Sequence, residues 1–308
     1  MSDRMTASVD VVIVAYRSAS TIGGCLGALT PDPAVASVTV VDNAAEPAVE
    51  ALVTALHETD PRFRYTAERN QGFAFAANRG AALGGAPFIA LVNPDLALTK
   101  SLGCLTSLIL DDLATVASGY LSTDGVMPSN TKHQVSLPRE LAKSLIGTAR
   151  AYRFAPPPAP QGWWYAPHAD GALLVVSRAD WKRLGGLDER FELYYEDVDF
   201  TLRADRRGVA VLGQEVGLHA GGASASTSRS AVWCCLQVSR VRFLRQHAGP
   251  VAGPAGALGL GALDWLVRSV SLQPEGQAAR NRAMRLLVRE VRGPGTVRVL
   301  TPANGQPV

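Results

Sequence analysis

ERNQGFAFAANRGAALGGAPFIALVNPD, residues 68–95, decides the fold, because it contains a helix, a strand and a polar end in that order. After Asn70 and Gly72, the segment FAFAANRGAALGG predicts a helix that ends at glycine. The segment APFIALVNPD then predicts a buried strand that ends at Pro94 and Asp95. A helix followed directly by such a strand is the repeating unit of parallel sheets.

The segments before this stretch repeat the same alternation. VDVVIVAY (9–16) is an apolar run typical of a buried strand, and SVTVVDN (37–43) and FRYTAER (63–69) predict two more strands with a helix between them. The first 120 or so residues therefore predict an α/β fold, with a Rossmann-like, mostly parallel sheet that has helices on both faces.

Polar side chains follow each of these four strands: Tyr16 and Ser18; Asp42 and Asn43; Asn70; Asn93 and Asp95. Ligands of open α/β sheets bind at the carboxyl ends of the strands. Any one of these residues could serve only the turn in which it lies, because Asp and Asn favour turns. Their repetition at four successive strands favours a binding site for a polar ligand.

Composition restricts the class of protein. The chain has 308 residues, 47% hydrophobic and 19% charged, with a net charge of +3, which does not favour a nucleic-acid partner. Its four cysteines lack metal-ligand spacing, which favours reduced thiols in the cytoplasm. The apolar run at 251–263 is too short to span a membrane. With the Arg-rich segment 280–293, it predicts either a membrane-surface contact or packed helices with a solvated basic face.

Three common nucleotide or hydrolase motifs are missing from the sequence. The first strand-to-helix turn, AYRSASTIGG (15–24), lacks the GxGxxG of dinucleotide oxidoreductases, and no GxxxxGK[ST] or GxSxG occurs elsewhere. What remains is an acid at the end of the fourth strand and the segment ELYYEDVDFTLRADRRG (192–208), which crowds carboxylates beside aromatic residues. Acids in the first turn of a helix complement its dipole, so a purely structural interpretation is equally open for this segment.

The segments quoted above, together with DGALLVVSRADWKRLGGLDER (170–190) and LHAGGAS (218–224), occur in a family-specific order. Over residues 8–246 the chain resembles the inverting nucleotide-sugar glycosyltransferases of the GT-A fold, in particular the bacterial rhamnosyltransferase branch. That resemblance implies a catalytic domain over 1–249. Its nucleotide-binding half spans about 8–121 and its acceptor-binding half about 165–249, and a helical C-terminal extension follows at 250–308.

The resemblance also implies roles for the polar clusters. Tyr16, Ser18 and Asp42 are expected at the nucleoside, and Asn70, Gly72 and Asn78 beneath the nucleotide sugar. Asp95 is expected to hold Mg²⁺ or Mn²⁺ against the diphosphate, with His219 as a second ligand or a diphosphate contact. Many GT-A enzymes have Asp-x-Asp where this chain has Asn93-Pro94-Asp95, so the amide of Asn93 replaces one carboxylate and leaves the metal dependence open.

The same resemblance places the catalytic base at Asp197. Inverting transfer requires a group that takes the proton of the attacking hydroxyl, and aromatic neighbours would partly desolvate this carboxylate. Glu196, Asp199 and Asp170 are expected to orient the base or bind acceptor hydroxyls. Trp163, Trp164 and Tyr165 either stack on a sugar, pack in the core or form a hydrophobic lid, and His168 is expected to be an ordinary core or surface residue.

The predicted activity is transfer of a sugar, L-rhamnose from dTDP-rhamnose, to a saccharide or polyprenyl-linked acceptor during cell-wall or surface polysaccharide synthesis. The alternatives are a galactofuranosyl or other hexosyl transferase that uses a UDP-sugar, and a non-catalytic sugar-nucleotide binding protein. The expected location is cytoplasmic, with peripheral contact at the inner face of the plasma membrane through the basic C-terminal segment.

Overall fold

The computed structural model describes residues 8–122, 130–146, 151, 162–204, 207–219, 229–269, 274–295 and 297–300. A nine-stranded sheet forms the centre, in the order β3-β2-β1-β4-β10-β6-β11-β5, with β8 paired to β11. Its strands are β1 Val9–Ala15, β2 Val35–Asp42, β3 Phe63–Ala67, β4 Phe88–Val92, β5 Leu96–Leu98, β6 Val116–Ser122, β8 Trp163–Ala166, β10 Leu173–Ser177 and β11 Val209–His219. Strands β7 Thr131–Lys132 and β9 His168–Ala169 form a separate two-stranded sheet.

Helices of the described residues cover both faces of the sheet and extend beyond it. They are α1 Ile22–Leu29, α2 Pro47–Thr59, α3 Phe73–Ala82, α4 Gly103–Leu110, α5 Leu137–Ile146, α6 Arg178–Leu184, α7 Glu196–Ala204, α8 Arg229–Ala248, α9 Ala252–Ser269 and α10 Pro274–Arg292. One core cluster packs α1, α2 and α4 on one face, and a second packs α3, α6 and α7 on the other. The predicted α/β fold with helices on both faces is confirmed.

The sheet is parallel where the sequence predicted a nucleotide-binding half. Strands β1 to β4 pair in parallel, and β6 pairs in parallel with β11. Strand β10 enters between β4 and β6 and runs antiparallel to both. Because β10 runs the opposite way, the loop that leads into it lies at the same edge of the sheet as the carboxyl end of β4.

The first strand contains a charge that its apolar pattern conceals. Asp10 is 4% exposed in the middle of the sheet, and its carboxylate accepts bonds from Arg178 Nη2 at 2.6 Å, Ser37 Oγ at 2.5 Å and the backbone N–H of Ala86 at 2.7 Å. A buried carboxylate is tolerated when such partners replace its water. This ion pair joins β1 to the start of α6.

The helices α8, α9 and α10 share a core with the segment that precedes α7. Phe191, Tyr195 and Val198 pack in the same cluster as Val241 and Phe243 of α8, joined by Ala257, Leu260 and Leu287. The buried Arg240 pairs with Glu140 of α5 and Asp264 of α9, and Arg242 pairs with Glu290 of α10. The domain boundary at 249 stays a prediction, although the helices after it pack directly against the start of α7. None of the described helices is long and apolar enough to cross a membrane.

Candidate functional site

The carboxylate of Asp42 organises the turn after β2. It is fully buried, and its oxygens accept the backbone N–H groups of Ala44 at 2.9 Å and Glu46 at 2.7 Å. The hydroxyl of Tyr65 donates to the same carboxylate at 3.1 Å. Burial, with the charge of Asp42 as the next cause, raises the pKa of Tyr65 to about 12. Asp42 therefore stabilises the turn that follows β2, and its expected contact with the nucleoside stays a prediction.

The loop after β1 is tied to that turn through a residue that the sequence did not single out. The buried hydroxyl of Ser18 accepts the backbone N–H of Tyr16 at 3.1 Å, and the N–H of Ser18 donates to Glu46 Oε1 at 2.6 Å. Tyr16, Ser18 and Asp42 therefore belong to one connected edge. Glu46 could not be recognised from sequence because it also reads as an ordinary residue beside a helix start.

Asn70 and Gly72 lie together, whereas Asn78 points elsewhere. Asn70 Oδ1 accepts the backbone N–H of Gly72 at 3.1 Å, and Asn43 Nδ2 donates to the carbonyl of Gly72 at 3.3 Å. The amide of Asn78 instead bonds the backbone N–H and carbonyl of Leu187, at 2.9 and 2.8 Å. Asn78 therefore holds the 187–189 loop, and its expected place beneath a nucleotide sugar stays a prediction.

Asp95, His219 and Asn93 form a compact group at the end of β4. Asp95 Oδ1 lies 3.2 Å from His219 Nε2, and Asn93 Nδ2 lies 3.3 Å from the same nitrogen. Nearby, burial with a contribution from Asp95 raises the pKa of the Cys25 thiol to about 12. The pairing of β11 with β5 brings His219 opposite Leu96, which explains why residues 124 positions apart meet.

The donor set of Asp95 and His219 fits a divalent cation. Carboxylate oxygen and imidazole nitrogen are both ligands that Mn²⁺ accepts. Two ligands at right angles on an ion with bonds of 2.0–2.1 Å lie about 3 Å apart, which is close to the observed separation. The geometry therefore allows one ion to bind both side chains.

Asp197 lies at the first turn of α7, held by the turn that leads into β10. Its Oδ2 accepts the backbone N–H of Gly171 at 2.9 Å, and its Oδ1 accepts that of Val198 at 2.8 Å. The side chain is 17% exposed, so a hydroxyl group can still reach it. His168 and Asp170 face the same carboxylate, with their donor atoms and those of Asp197 all within 4.8 Å of one another.

The two acids near Asp197, Glu196 and Asp199, have different surroundings. Asp199 is fully buried and bonds Arg203 at 2.7 Å, Gln246 at 2.7 Å and His247 at 3.0 Å, so it joins α7 to α8. Glu196 is 6% exposed, and its Oε2 has no hydrogen-bond partner among the described residues. Burial, reinforced by Asp197, raises the pKa of Glu196 well above its ordinary value. Neither arrangement presents a free carboxylate to an acceptor, and their expected acceptor-binding roles stay predictions.

The aromatic residues around this segment mostly pack in the core. Tyr195 packs on Phe243, with ring centroids 5.2 Å apart, and Phe200 packs on Trp181 at 5.1 Å. Trp164 is 7% exposed, in agreement with core packing as the interpretation of the 163–165 cluster. Tyr194 remains 38% exposed. The groups that face Asp197 are therefore mainly polar, and His168 is the one that sequence reasoning missed.

The two halves of the site meet at the adjacent residues Gly171 and Ala172. The backbone N–H of Asn93 donates to the carbonyl of Ala172 at 3.0 Å, and the adjacent Gly171 donates to Asp197. Asp95 follows Asn93 by two positions. The acid expected to bind a metal and the acid expected to act as a base therefore flank the same turn.

Comparisons with known proteins agree with this architecture. Residues 10–154 match the family model Glycosyl transferase family 2. No curated protein sequence matches the chain. Among solved structures, it is similar to the mannosyltransferase PcManGT from Pyrobaculum calidifontis in complex with GDP-Man and Mn²⁺, with 16% identity and a TM-score of 0.51 over 93% of this chain and 81% of that one.

Two further structures share the fold. One is TarS 1–349 from S. aureus in complex with UDP-GlcNAc, with 14% identity and a TM-score of 0.53 over 96% of this chain and 84% of that one. The other is GalNAc-T7 with UDP, GalNAc and Mn²⁺, with 12% identity and a TM-score of 0.57 over 94% of this chain and 57% of that one. These comparisons do not distinguish a rhamnosyltransferase branch. Residues 10–154 therefore match a glycosyl transferase family 2 domain, within a chain that has the GT-A fold.

Proposed function

We propose that this protein is an inverting glycosyltransferase that moves a sugar from a nucleoside diphosphate to an acceptor hydroxyl. The observation that carries the proposal is that the turn at Gly171 and Ala172 bonds both acidic segments. Asn93, two residues before Asp95, donates to Ala172, and Asp197 accepts the N–H of Gly171. One side of the site offers a carboxylate and an imidazole that suit a cation and a diphosphate, and the other offers a carboxylate that a hydroxyl can reach.

In the proposed reaction, the acceptor oxygen forms a bond to the anomeric carbon while the bond from that carbon to the diphosphate breaks. Asp197 takes the hydroxyl proton, and the electron pair of the broken bond leaves with the nucleoside diphosphate. A positioned base of this kind contributes about 10²–10⁴ in rate. The N–H of Gly171 holds the carboxylate in place before the acceptor arrives.

Asp95, assisted by His219, is the group that we propose to hold Mg²⁺ or Mn²⁺. When bound, the cation supplies positive charge that stabilises the departing diphosphate. Two similar structures contain Mn²⁺, which supports testing that ion first. Tyr16, Ser18, Asp42, Asn70 and Gly72 line the edge where we place the nucleotide.

The sugar that we propose is L-rhamnose carried by dTDP, with a saccharide or polyprenyl-linked acceptor for cell-wall or surface polysaccharide. Its support is the resemblance of the quoted motifs. A hexosyl transferase is the second candidate, because the similar structures contain GDP-Man, UDP-GlcNAc or UDP with GalNAc. Peripheral contact with the inner face of the plasma membrane, through the basic α10, belongs to the same proposal.

The test begins with thermal shift measurements on the protein in the presence of dTDP-rhamnose, UDP-galactofuranose, UDP-GlcNAc or GDP-mannose, each with and without Mn²⁺. A bound donor raises the stability of the protein according to its occupancy.

Asp197→Asn should keep donor binding and lose turnover by at least ~10². Asp95→Asn should instead weaken the Mn²⁺-dependent shift. The exposed Asp111 provides a matched control, since Asp111→Asn should change neither. If donor binds but Asp197→Asn turns over normally, the protein does not use this base.

A further inference from the structure

His168 is held between two carboxylates at the edge of the candidate site. It is 3% exposed, and its Nε2 lies 3.6 Å from Asp170 Oδ1 and 3.7 Å from Asp197 Oδ2. At the other side of the ring, Nδ1 lies 3.2 Å from Thr201 Oγ1. The ring is therefore fixed on both sides, with Nε2 directed at the proposed base.

Lys132 completes the arrangement from the neighbouring strand. Its Nζ lies 2.7 and 2.6 Å from the two oxygens of Asp170. Burial raises the pKa of Asp170, but the charge of Lys132 and the nearby His168 outweigh it, and the net pKa lies below the ordinary value. Asp170 therefore stays ionised beside His168. The four side chains follow one another in the order Lys132, Asp170, His168 and Asp197.

A metal ion is the rival interpretation of this cluster, because one imidazole and two carboxylates could hold one. However, the ammonium of Lys132 already binds both oxygens of Asp170, where an ion would have to bind. The separations of 3.6 and 3.7 Å also exceed those of direct hydrogen bonds, so His168 acts on the carboxylates mainly through its electrostatic field.

We propose that His168 is a positioning residue for Asp197, itself oriented by the pair of Lys132 and Asp170. A donor N–H or positive charge at Nε2 favours the ionised carboxylate, which is the form that accepts the hydroxyl proton. The inference rests on the proposed function, because it assigns Asp197 the role of base. Among the described residues, the titratable groups that face Asp197 are His168 of β9, the following Asp170, Lys132 of β7, and Tyr194 and Glu196 of its own segment.

The kinetic test compares His168→Gln with the parent protein across pH. Loss of the imidazole should move the acidic limb of the kcat/KM profile upward by about one unit, because that limb reports ionisation of the base. Below the limb, turnover should fall about tenfold, while the thermal shift caused by the nucleotide sugar stays unchanged. His57→Gln is the matched control, because His57 lies at the far end of α2 and bonds the carbonyl of Phe63.

A second measurement needs no substrate and separates this inference from the proposed function. In a ¹H–¹³C spectrum of histidine-labelled protein, Asp197→Asn should move the titration midpoint of the His168 signals to lower pH, because a neighbouring negative charge is lost. Asp111→Asn should leave them in place. Unchanged His168 signals in Asp197→Asn would overturn the inference even if Asp197 proves to be the base.

The metal interpretation is tested in the same proteins. Mn²⁺ binding, followed by electron paramagnetic resonance without nucleotide, should be unaffected by His168→Gln and weakened by Asp95→Asn. If His168→Gln abolishes Mn²⁺ binding, the cluster is a metal site and His168 is not a positioning residue. If the acidic limb stays in place while Asp197→Asn still abolishes turnover, only the role of His168 is refuted.

Discussion

Gly72 is the point at which the start of α3 touches the segment that leads to Asp197. Its φ is +105°, and a Cβ added there would lie 2.3 Å from the carbonyl oxygen of Glu192. That carbonyl accepts the backbone N–H of Phe73 at 2.7 Å, which begins α3. We therefore predict that Gly72→Ala separates two backbones that now lie in direct contact.

The magnitude follows from two contributions. A backbone conformation that is accessible essentially only to glycine costs about 1–3 kcal/mol for a residue with a side chain. Loss of the hydrogen bond from Phe73 to Glu192 adds about 0.5–1.5 kcal/mol. The sum predicts that the free energy of unfolding falls by roughly 2–4 kcal/mol, and that turnover also falls because the start of α7 moves.

Gly27→Ala is the matched control for the same chemical change. Gly27 lies on the exposed side of α1, and an added Cβ there meets nothing within 4 Å. Alanine in a helix interior is more stable than glycine by about 0.5–1 kcal/mol, so this variant should be stabilised. Urea unfolding of both variants measures the difference. If Gly72→Ala loses less than about 1 kcal/mol, the contact with Glu192 is not as tight as described.

Three other substitutions test separate parts of the structure. Glu192→Gln replaces a buried carboxylate that accepts two backbone N–H groups of the 297–300 segment. It should lower the free energy of unfolding by about 1–3 kcal/mol and speed proteolysis of the C-terminus. An unchanged cleavage rate would contradict this. Glu196→Gln should stabilise the protein above pH 4.5. Burial, reinforced by the adjacent carboxylate, raises the pKa of Glu196 in the folded protein. Folding therefore takes up a proton, and the stability of the parent protein declines as pH rises from 4.5. An unaltered pH dependence of Tm in Glu196→Gln would count against it. Asp10→Ala should cost about 3–5 kcal/mol by leaving Arg178 buried without its partner, and a loss below 1 kcal/mol would show that the pair contributes little.

The first four strands were predictable because their sequence signals are local. Each strand from β1 to β4 is a short apolar run, and each is followed by turn residues, so neither a partner nor a distant contact is needed to recognise it. The helix starting at Glu196 was also predictable, from its acidic first turn and the glycine at 208. Arg240 and Arg242 pair with acids of other helices, and sequence spacing does not show this pairing.

The surroundings of Asp197 were harder to predict because their geometry depends on pairings between distant segments. His168 reaches Asp197 only because the two-residue strand β9 pairs with β7 and packs against α7. Two-residue strands have no periodicity from which they could be predicted, and a single histidine before an apolar run is more often a core residue. The available signal was the sequence His168-Ala169-Asp170-Gly171, in which an imidazole and a carboxylate precede a glycine whose N–H can bind a carboxylate. This signal becomes informative only when it is considered together with the second acidic segment, 196–199, because a buried carboxylate there requires a partner. The arrangement of base, imidazole and lysine is therefore a property of the tertiary fold, and its test must be made on the coupling between His168 and Asp197 rather than on either residue alone.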